Sequence, residues 1–198
     1  DPKFKKIPGI NQELDYIPAD KLYYKVDSVA GAKILGGKTD GMVDKMMINL
    51  AGKNALGKQE LTILDMLQTN DFERPMYYAI PVSPDQFVNL DGYFEQTGLA
   101  YQVVPKNANK SVNTDKMYDN VMNKFKWGGV DKPGVYIDEN VMRMCKSYRL
   151  LLFNKLAEAL VKEGKNDKAL EVLDKCMQVL PPENVPLDYT ALSTGELY

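Results

Sequence analysis

Two amphipathic segments separated by a glycine dominate the second half of the chain. The segment from Asp138 to Glu163 carries apolar residues at helical spacing, and Gly164 ends it. Asn166 or Asp167 is the expected cap of the second segment, which Pro181-Pro182 ends. Because only about three residues join the segments, the sequence predicts two antiparallel helices in an αα-hairpin. The predicted apolar faces are Val141, Met144, Tyr148, Leu152, Leu156 and Leu160 on the first helix, and Ala169, Leu170, Leu173, Cys176, Met177 and Leu180 on the second.

This hairpin resembles a tetratricopeptide repeat. In that family a bulky residue, small residues, a glycine between the helices and a final proline recur at fixed spacing. Counted from Phe153, the residues Ala157, Gly164, Ala169 and Pro181 stand at the matching positions. Small side chains at 157 and 169 let two helices approach closely, so the pattern predicts a tetratricopeptide-like helical region.

Strand-length apolar runs alternate with helical patterns over residues 45–104. The order is β-α-β-α-β, which favours a small parallel or mixed sheet with right-handed crossovers. Ser83, Pro84 and Gln86 have the residue types of a helix start with a capping box, and Gly98 suits the C-terminal cap of the same helix. The predicted strands are 21–27, 45–50, 76–81 and 99–104, and the predicted helices of this part are 57–69 and 83–98.

Composition divides the chain into three parts. Residues 1–20 combine prolines with mixed charges, which favours an extended arm. Residues 21–112 are interpreted as a small α/β domain that includes a glycine-rich loop at 30–41, and residues 113–198 as a helical tetratricopeptide-like domain. The predicted fold class is therefore α/β plus all-α, a small β-α-β-α-β module followed by a helical hairpin region.

The chain contains no histidine and only two cysteines. The lack of imidazole excludes Ser-His-Asp and Cys-His nucleophilic machinery and His-ligated metal sites. Cys145 and Cys176 do not form a Cys-x-x-Cys pair, and Cys176 fits a small packed position of the second helix. No pair of acidic residues stands out as catalytic. We therefore predict no catalytic residue, no metal ligand and no cofactor in this chain.

Charge and hydropathy bear on the partners of the chain. Lys and Arg number 25 against 27 Asp and Glu, and this balance predicts no nucleic-acid partner. The sequence contains no run of about 18 apolar residues, the length that is needed to span a bilayer. The chain starts at Asp1 without a methionine and stops at Tyr198 inside a predicted helix, where Gly195 fits the beginning of another repeat. We therefore expect a piece of a larger protein, truncated at its C-terminal end, with membrane contact only through spans outside the piece.

Residues 32–39, AKILGGKT, satisfy a permissive form of the phosphate-binding loop. That chemistry requires a buried strand before the loop and a helix that starts at Lys38-Thr39. The following residues, 40–44, are poor helix formers, and Asn49 stands where a magnesium-binding acid is wanted. The sequence favours a glycine-rich surface loop, and a nucleotide-binding enzyme is the minor alternative.

Five aromatic and basic side chains are candidate ligand contacts: Arg74, Tyr77, Tyr78, Lys126 and Trp127. Tyrosine and tryptophan stack on apolar faces and still donate hydrogen bonds, so these residues could form a sugar-binding or peptide-binding surface. Tyr77 and Tyr78 alternate across a predicted strand, so at least one of them is expected in the core. For each aromatic residue, core packing is the favoured interpretation over ligand contact.

Several stretches together resemble the C-terminal soluble region of a family of bacterial multi-spanning membrane proteins. They are residues 61–79, 98–105 and 113–129, followed by the helical repeat. The resemblance is close over residues 57–198 and loose over 1–56. That family, long labelled a domain of unknown function, is similar to the protein O-mannosyltransferase class of glycosyltransferases, which use lipid-linked sugars.

The resemblance implies that the parent protein transfers a sugar from a polyprenyl-phosphate carrier, through a carboxylate that this chain does not contain. The chain would then be a non-catalytic accessory domain on the periplasmic face of the inner membrane, and its helical surface would bind an acceptor protein, a peptide or another partner. A free-standing tetratricopeptide-type scaffold for protein interaction is the alternative. A nucleotide-binding enzyme that uses residues 32–39 is less favoured.

Overall fold

The structure, a computed structural model, describes residues 3–6, 13–16, 19–53 and 55–198. The chain forms two compact units whose segments alternate along the sequence. The first unit comprises Asp1–Met76, Val82–Tyr93 and Val104–Asn107, and the second comprises Tyr77–Pro81, Phe94–Val103 and Ala108–Tyr198.

The described residues of the first unit form two antiparallel strand pairs, two α-helices and two short 3₁₀ helices. Within the predicted arm, 1–20, two short strands pair with each other, and residues 1–2, 7–12 and 17–18 lie outside the described part of the chain. The predicted strands at 21–27 and 45–50 are present and pair antiparallel. The elements are β1 (Lys3–Lys6), β2 (Glu13–Tyr16), β3 (Lys21–Lys25), α1 (Ser28–Ile34), β4 (Lys45–Asn49) and α2 (Lys58–Asn70).

Helix α1 occupies part of the segment predicted to be a glycine-rich loop at 30–41, so that prediction is wrong for residues 30–34. The carboxylate of Asp27 caps the helix and accepts hydrogen bonds from the N–H groups of Val29 at 2.9 Å and Ala30 at 2.8 Å. Gly36 and Gly37 follow the helix with φ of 65° and 82°. A helix therefore precedes Lys38-Thr39, where a phosphate-binding loop requires a strand.

The predicted α-helix over 83–98 is not formed. A 3₁₀ turn over Pro84–Phe87 is followed by Val88 and Asn89, whose φ of 54° and 57° lies in the left-handed region. The Ser83 hydroxyl donates to the Asp85 side chain and makes no cap hydrogen bond. A helix at the surface buries one face, whereas the buried apolar side chains of this segment would be spread over more than one face of a helix. They are Phe87, Val88, Leu90, Tyr93 and Phe94.

A four-stranded sheet begins the second unit. Its order is β5-β7-β6-β8, with β6 and β8 parallel and the other two pairs antiparallel. Residues 97–99 join β6 to β7, which is too short for a helical crossover and suits a hairpin. The predicted β-α-β-α-β module with right-handed crossovers is therefore wrong. The strands are β5 (Tyr77–Ala79), β6 (Phe94–Gln96), β7 (Ala100–Val103) and β8 (Ser111–Val112).

The rest of the second unit is helical, as predicted. A long helix runs from Glu139 to Lys162 in three parts, and Gly164, with φ of 73°, separates it from the next helix. The α-helical elements are α3 (Thr114–Asp119), α4 (Glu139–Tyr148), α5 (Lys155–Lys162), α6 (Asn166–Val179) and α7 (Tyr189–Leu197), with π turns at Asn120–Lys124 and Arg149–Asn154. Mixed α/β and helical content agrees with the predicted class.

The π turn between α4 and α5 changes which face of the long helix is buried. A π turn adds a residue to the helix and so rotates the part before it. Val141 and Met144, placed on the predicted apolar face, are 38% and 50% exposed, while Cys145 is buried. After the turn, Leu152 and Leu156 are fully buried, as the pattern predicts.

The cap of α6 also differs from the prediction. The residue at the N-cap is Lys165, without a side-chain cap hydrogen bond, and Asn166 and Asp167 lie inside the first turn. Lys165 instead forms an ion pair with Glu163 at 2.6 Å. Leu170, predicted on the inner face, is exposed, so the buried face of α6 is narrower than the pattern suggests.

Candidate functional site

Tyr77 and Tyr78 point to opposite faces of β5. Tyr78 is buried, and its ring lies 4.8 Å from that of Phe94. Burial raises the pKa of Tyr78 to about 12. Tyr77 is 53% exposed. The prediction that at least one of the two belongs to the core is confirmed, and Tyr77 lies at the surface.

Trp127 is half-buried against the helical core. Its ring stacks on Phe153 with 5.3 Å between centroids, and it meets Phe125 edge-on at 6.1 Å. Its indole Nε1 is buried, and the described residues offer it no hydrogen-bond acceptor. The neighbouring Lys126 is exposed. The main contacts of the Trp127 ring are therefore packing contacts with other aromatic rings, while Lys126 lies at the surface.

Arg74 lies in the first unit, whereas the other four predicted contact residues lie in the second. Its backbone is tied to the end of α2: its N–H donates to the Asn70 side chain at 3.2 Å, and its carbonyl accepts from the same side chain at 2.7 Å. Its side chain is exposed. Ligand binding by these five residues stays a prediction.

A fully buried arginine, Arg149, is the most unusual group of the second unit, and sequence analysis did not single it out. Its guanidinium donates to the carbonyl oxygens of Leu180 at 3.1 Å and Pro186 at 3.1 Å, and also to that of Val185. Carbonyls at the C-terminal end of α6 carry the negative end of the helix dipole, which favours a cation there. Arginine in the middle of an apolar stripe is the signal in the sequence that could have revealed this role.

Neither cysteine is set up as a nucleophile. Both side chains are buried and unoxidised. Burial raises the pKa of Cys176 to about 12, against the opposing influence of Arg149, and it also raises the pKa of Cys145. Because the thiolate is the reactive form, both groups are inert at neutral pH.

Several surface cavities in the described part of the chain have linings that could contact a ligand. One of about 370 Å³ lies between Arg149 and α7 and is mostly apolar, with Met177, Leu187 and Tyr198 in its wall. Another, of about 670 Å³, belongs to the first unit and is polar. It is lined by residues that include Tyr23, Lys25, Asp27, Gln68 and Asp71.

The third cavity is a groove of about 360 Å³ between β8 and α5. Ser111 and Val112 contribute one wall, and Lys155 and Lys162 stand on the other. Lys110, immediately before β8, also lines it. Three lysines and two glutamates, Glu158 and Glu163, therefore line a groove that runs along a strand.

The structure offers no metal centre in the part that it describes, since no group of three or more Cys, Asp or Glu side chains there is arranged to hold an ion. Among the helices of that same part, none has the length and apolar character needed to cross a membrane.

Comparison with known proteins identifies the family of the chain. The family model described as TMEM260-associated domain 2 matches residues 1–123, more than half of the chain. The chain belongs to the family of TMEM260-associated domain 2, a domain linked to a membrane-protein family. No curated protein and no solved structure matches it.

The extent of this match differs from the expected resemblance. It includes residues 1–56, where the resemblance was loose, and it ends before α4. The coarse expectation, a domain of unknown function associated with a membrane protein, is confirmed. The glycosyltransferase relationship and the tetratricopeptide assignment go beyond the match and belong to the proposal below.

Proposed function

We propose that the chain is a non-catalytic accessory domain of a glycosyltransferase-like membrane protein, and that it binds an acceptor protein or another protein partner. The observation that carries this proposal is the family match to a domain associated with a membrane protein. The proposed parent uses a lipid-linked sugar, and its catalytic carboxylate lies outside this chain. The proposed location is the periplasmic face of the inner membrane.

The α5–α6 hairpin supports a tetratricopeptide-type interaction surface. Ala157 and Ala169 are buried where α5 and α6 pack together, and Cys176 occupies a third small position with no exposed surface. Side chains of this size let helix axes approach closely, which leaves the outer faces of the pair free for a partner. Leu170 and Val161 are exposed on these outer faces.

The proposal is tested by deleting residues 1–198 from the full-length membrane protein. Acceptor glycosylation is then measured in cells that make equal amounts of the membrane-inserted protein. We expect the deletion to abolish or strongly slow acceptor modification while the membrane part remains inserted. Unchanged extent and rate of glycosylation would contradict an accessory role.

Partner binding is tested separately with a photocrosslinking residue on the helical surface of the full-length protein. We place it at Leu170, on the outer face of α6, and for comparison at Tyr136, which is 90% exposed and precedes α4. We expect a specific crosslinked partner from position 170 and none from position 136. Absence of a crosslink at 170 would contradict binding through the hairpin.

The full open reading frame distinguishes the alternative scaffold function from the accessory-domain function. A free-standing interaction scaffold requires that the natural open reading frame encode no membrane spans. Spans in the same open reading frame would favour the accessory domain.

A further inference from the structure

The strand β8 forms an open edge of the four-stranded sheet. It runs parallel to β6, with Gln96 opposite Val112, and the Asn113 N–H donates to the Gln96 carbonyl at 2.9 Å. In a parallel ladder, the residue between two bonded neighbours directs its own N–H and C=O to the other side. Val112 is that residue. Its backbone donor and acceptor therefore face away from β6, and no group in the described part of the chain hydrogen-bonds to them.

The groove described above lies beside this edge. The side chain of Val112 and that of Ala159 on α5 give it apolar surface, and its volume is about 360 Å³. A strand lying next to a helix with free backbone groups along its edge is the arrangement in which domains accept an extended peptide as an added strand. The groove thus offers both hydrogen bonds and side-chain contacts.

The charges around the groove favour an acidic occupant. Lys110, Lys155 and Lys162 line it, together with Glu158 and Glu163. The carboxylate of Glu163 is already engaged, because it pairs with Lys165 at 2.6 Å and accepts the Thr114 hydroxyl at 3.0 Å. Lys155 and Lys162 therefore share the groove with one acidic side chain, Glu158, for which the described part of the chain shows no ion pair.

Lys155 is the most constrained of the three lysines. It is half-buried, and its Nζ lies 5.8 Å from the centre of the Tyr101 ring. Burial and, next, the charge of Lys110 lower the pKa of Lys155. A carboxylate placed in the groove would stabilise this ammonium group directly.

We propose that the groove between β8 and α5 binds an extended acidic peptide segment of a partner protein, which adds as a strand to the edge at Val112. The inference rests on the proposed partner-binding function and defines the chemistry of the partner. If the segment adds antiparallel, Val112 exchanges two hydrogen bonds with one of its residues, and if it adds parallel, the two bonds go to two residues. Side chains alternate across a strand, so carboxylates at every second position share one face and meet the lysines.

The direct test measures fluorescence anisotropy of labelled short peptides titrated with the 198-residue chain. The first peptide alternates glutamate with valine, the second alternates lysine with valine, and the third repeats the first with N-methylated backbone amides. We expect binding of the first and at least about tenfold weaker binding of the other two. Absence of binding by the first peptide would overturn the proposal.

Two variants separate the backbone contribution from the charge contribution. Val112→Pro removes an N–H that faces away from β6, so the ladder between β6 and β8 is kept. The double variant Lys155→Gln, Lys162→Gln removes two charges, and Lys132→Gln, at an exposed lysine outside the groove, is its matched control. We expect Kd to rise about tenfold or more for the first two and to stay unchanged for the control.

Each further outcome decides between models. If circular dichroism shows that Val112→Pro does not fold, the N-methylated peptide alone tests the contribution of the backbone hydrogen bonds. Equal binding of the N-methylated and parent peptides would overturn strand addition. Binding of double-stranded RNA or anionic vesicles through the same lysines, without peptide binding, would also overturn it. If the position 170 crosslink and the deletion phenotype persist while the peptide does not bind, the proposed function stands and the groove assignment fails.

Discussion

The guanidinium of Arg149 donates a hydrogen bond to the carbonyl oxygen of Leu180 at 3.1 Å, which joins the π turn of the long helix to the end of α6. The same guanidinium reaches the carbonyls of Val185 and Pro186. One side chain therefore supplies donors to three carbonyls in the segment that leads to α7. A residue without hydrogen-bond donors cannot replace it without leaving buried acceptors unsatisfied.

Arg149→Leu is expected to lower the free energy of unfolding by about 2 kcal/mol, because three carbonyls lose their donor. Arg149→Lys should recover only part of the loss, since an ammonium lacks the planar fork that reaches several acceptors. Urea denaturation measures both, with the exposed Arg143→Leu as the matched control. Equal stability of Arg149→Leu and the parent chain would show that the arginine is not an anchor.

The α5–α6 contact gives a second prediction. Ala157→Leu inserts a large side chain where the two helices meet and should cost about 1–3 kcal/mol. Val161→Leu introduces leucine into the same helix at a position that is exposed, and it should change stability by less than about 0.5 kcal/mol. Thermal denaturation of both variants checks the difference. If Ala157→Leu is as stable as Val161→Leu, close approach of the helices is not required.

Alkaline pH should destabilise the second unit through Tyr78. Its pKa is raised by burial from 10.0 to about 12, so the unfolded chain ionises first as the pH rises. The stability due to this group is complete below about pH 10 and is lost as the pH approaches about 12. We expect Tyr78→Phe to flatten the fall in unfolding free energy over this range, relative to the parent chain and to Tyr77→Phe. Parallel pH profiles for all three proteins would contradict the assignment.

Both cysteines should resist alkylation in the folded chain. Their thiols are buried and their pKa values are raised, so the thiolate is scarce at neutral pH. Iodoacetamide treatment followed by mass spectrometry should give no adduct in buffer and two in denaturant. Rapid modification of either native thiol would mean that the core around it opens.

The first unit offers a test of one buried tyrosine. The Tyr24 hydroxyl donates to the Asp71 carboxylate at 2.5 Å, which joins β3 to the end of α2. Tyr24→Phe removes this bond and should cost about 1 kcal/mol in urea denaturation. Tyr23→Phe, at the exposed neighbour on the same strand, should be neutral. A neutral effect of Tyr24→Phe would mean that the bond adds no net stability.

Periodicity predicted the helical region well because one wide apolar face is a local property of the sequence. Leu152, Leu156 and Leu160 recur at helical spacing and are all buried. The same reasoning failed before the π turn, where Cys145 and Arg149 face the core instead of Val141 and Met144. The Leu151 carbonyl accepts the Gln96 side chain at 2.7 Å, a contact between residues far apart in sequence that periodicity cannot reveal.

The hydrophobic pattern of the sequence did not predict which strands pair with each other. Strands at 21–27, 45–50, 76–81 and 99–104 were correctly located, but apolar runs of this length do not specify their neighbours. The apolar residues between Phe87 and Phe94 are all buried although they do not lie on one helical face, and the spacing of apolar residues in a single sequence did not reveal this.

The candidate contact residues also show that local sequence patterns do not reveal contacts between distant residues. Alternation along the predicted strand was enough to predict that at least one of Tyr77 and Tyr78 lies in the core, and Tyr78 does. Nothing local to Val112 or Lys155 marks them as neighbours of one groove, since one belongs to a two-residue strand and the other to a helix.

The sequence by itself determined the helical character of the second half, the positions of four of the eight described strands, the lack of imidazole chemistry and the membership in a family linked to a membrane protein. Spacing and residue type are local, and these features depend on nothing more. Only the tertiary structure decided the strand order, the burial of Arg149 at the end of α6 and the basic groove beside β8. Each of these joins residues that are distant along the chain, and the free energy of their contact arises only once the chain has folded.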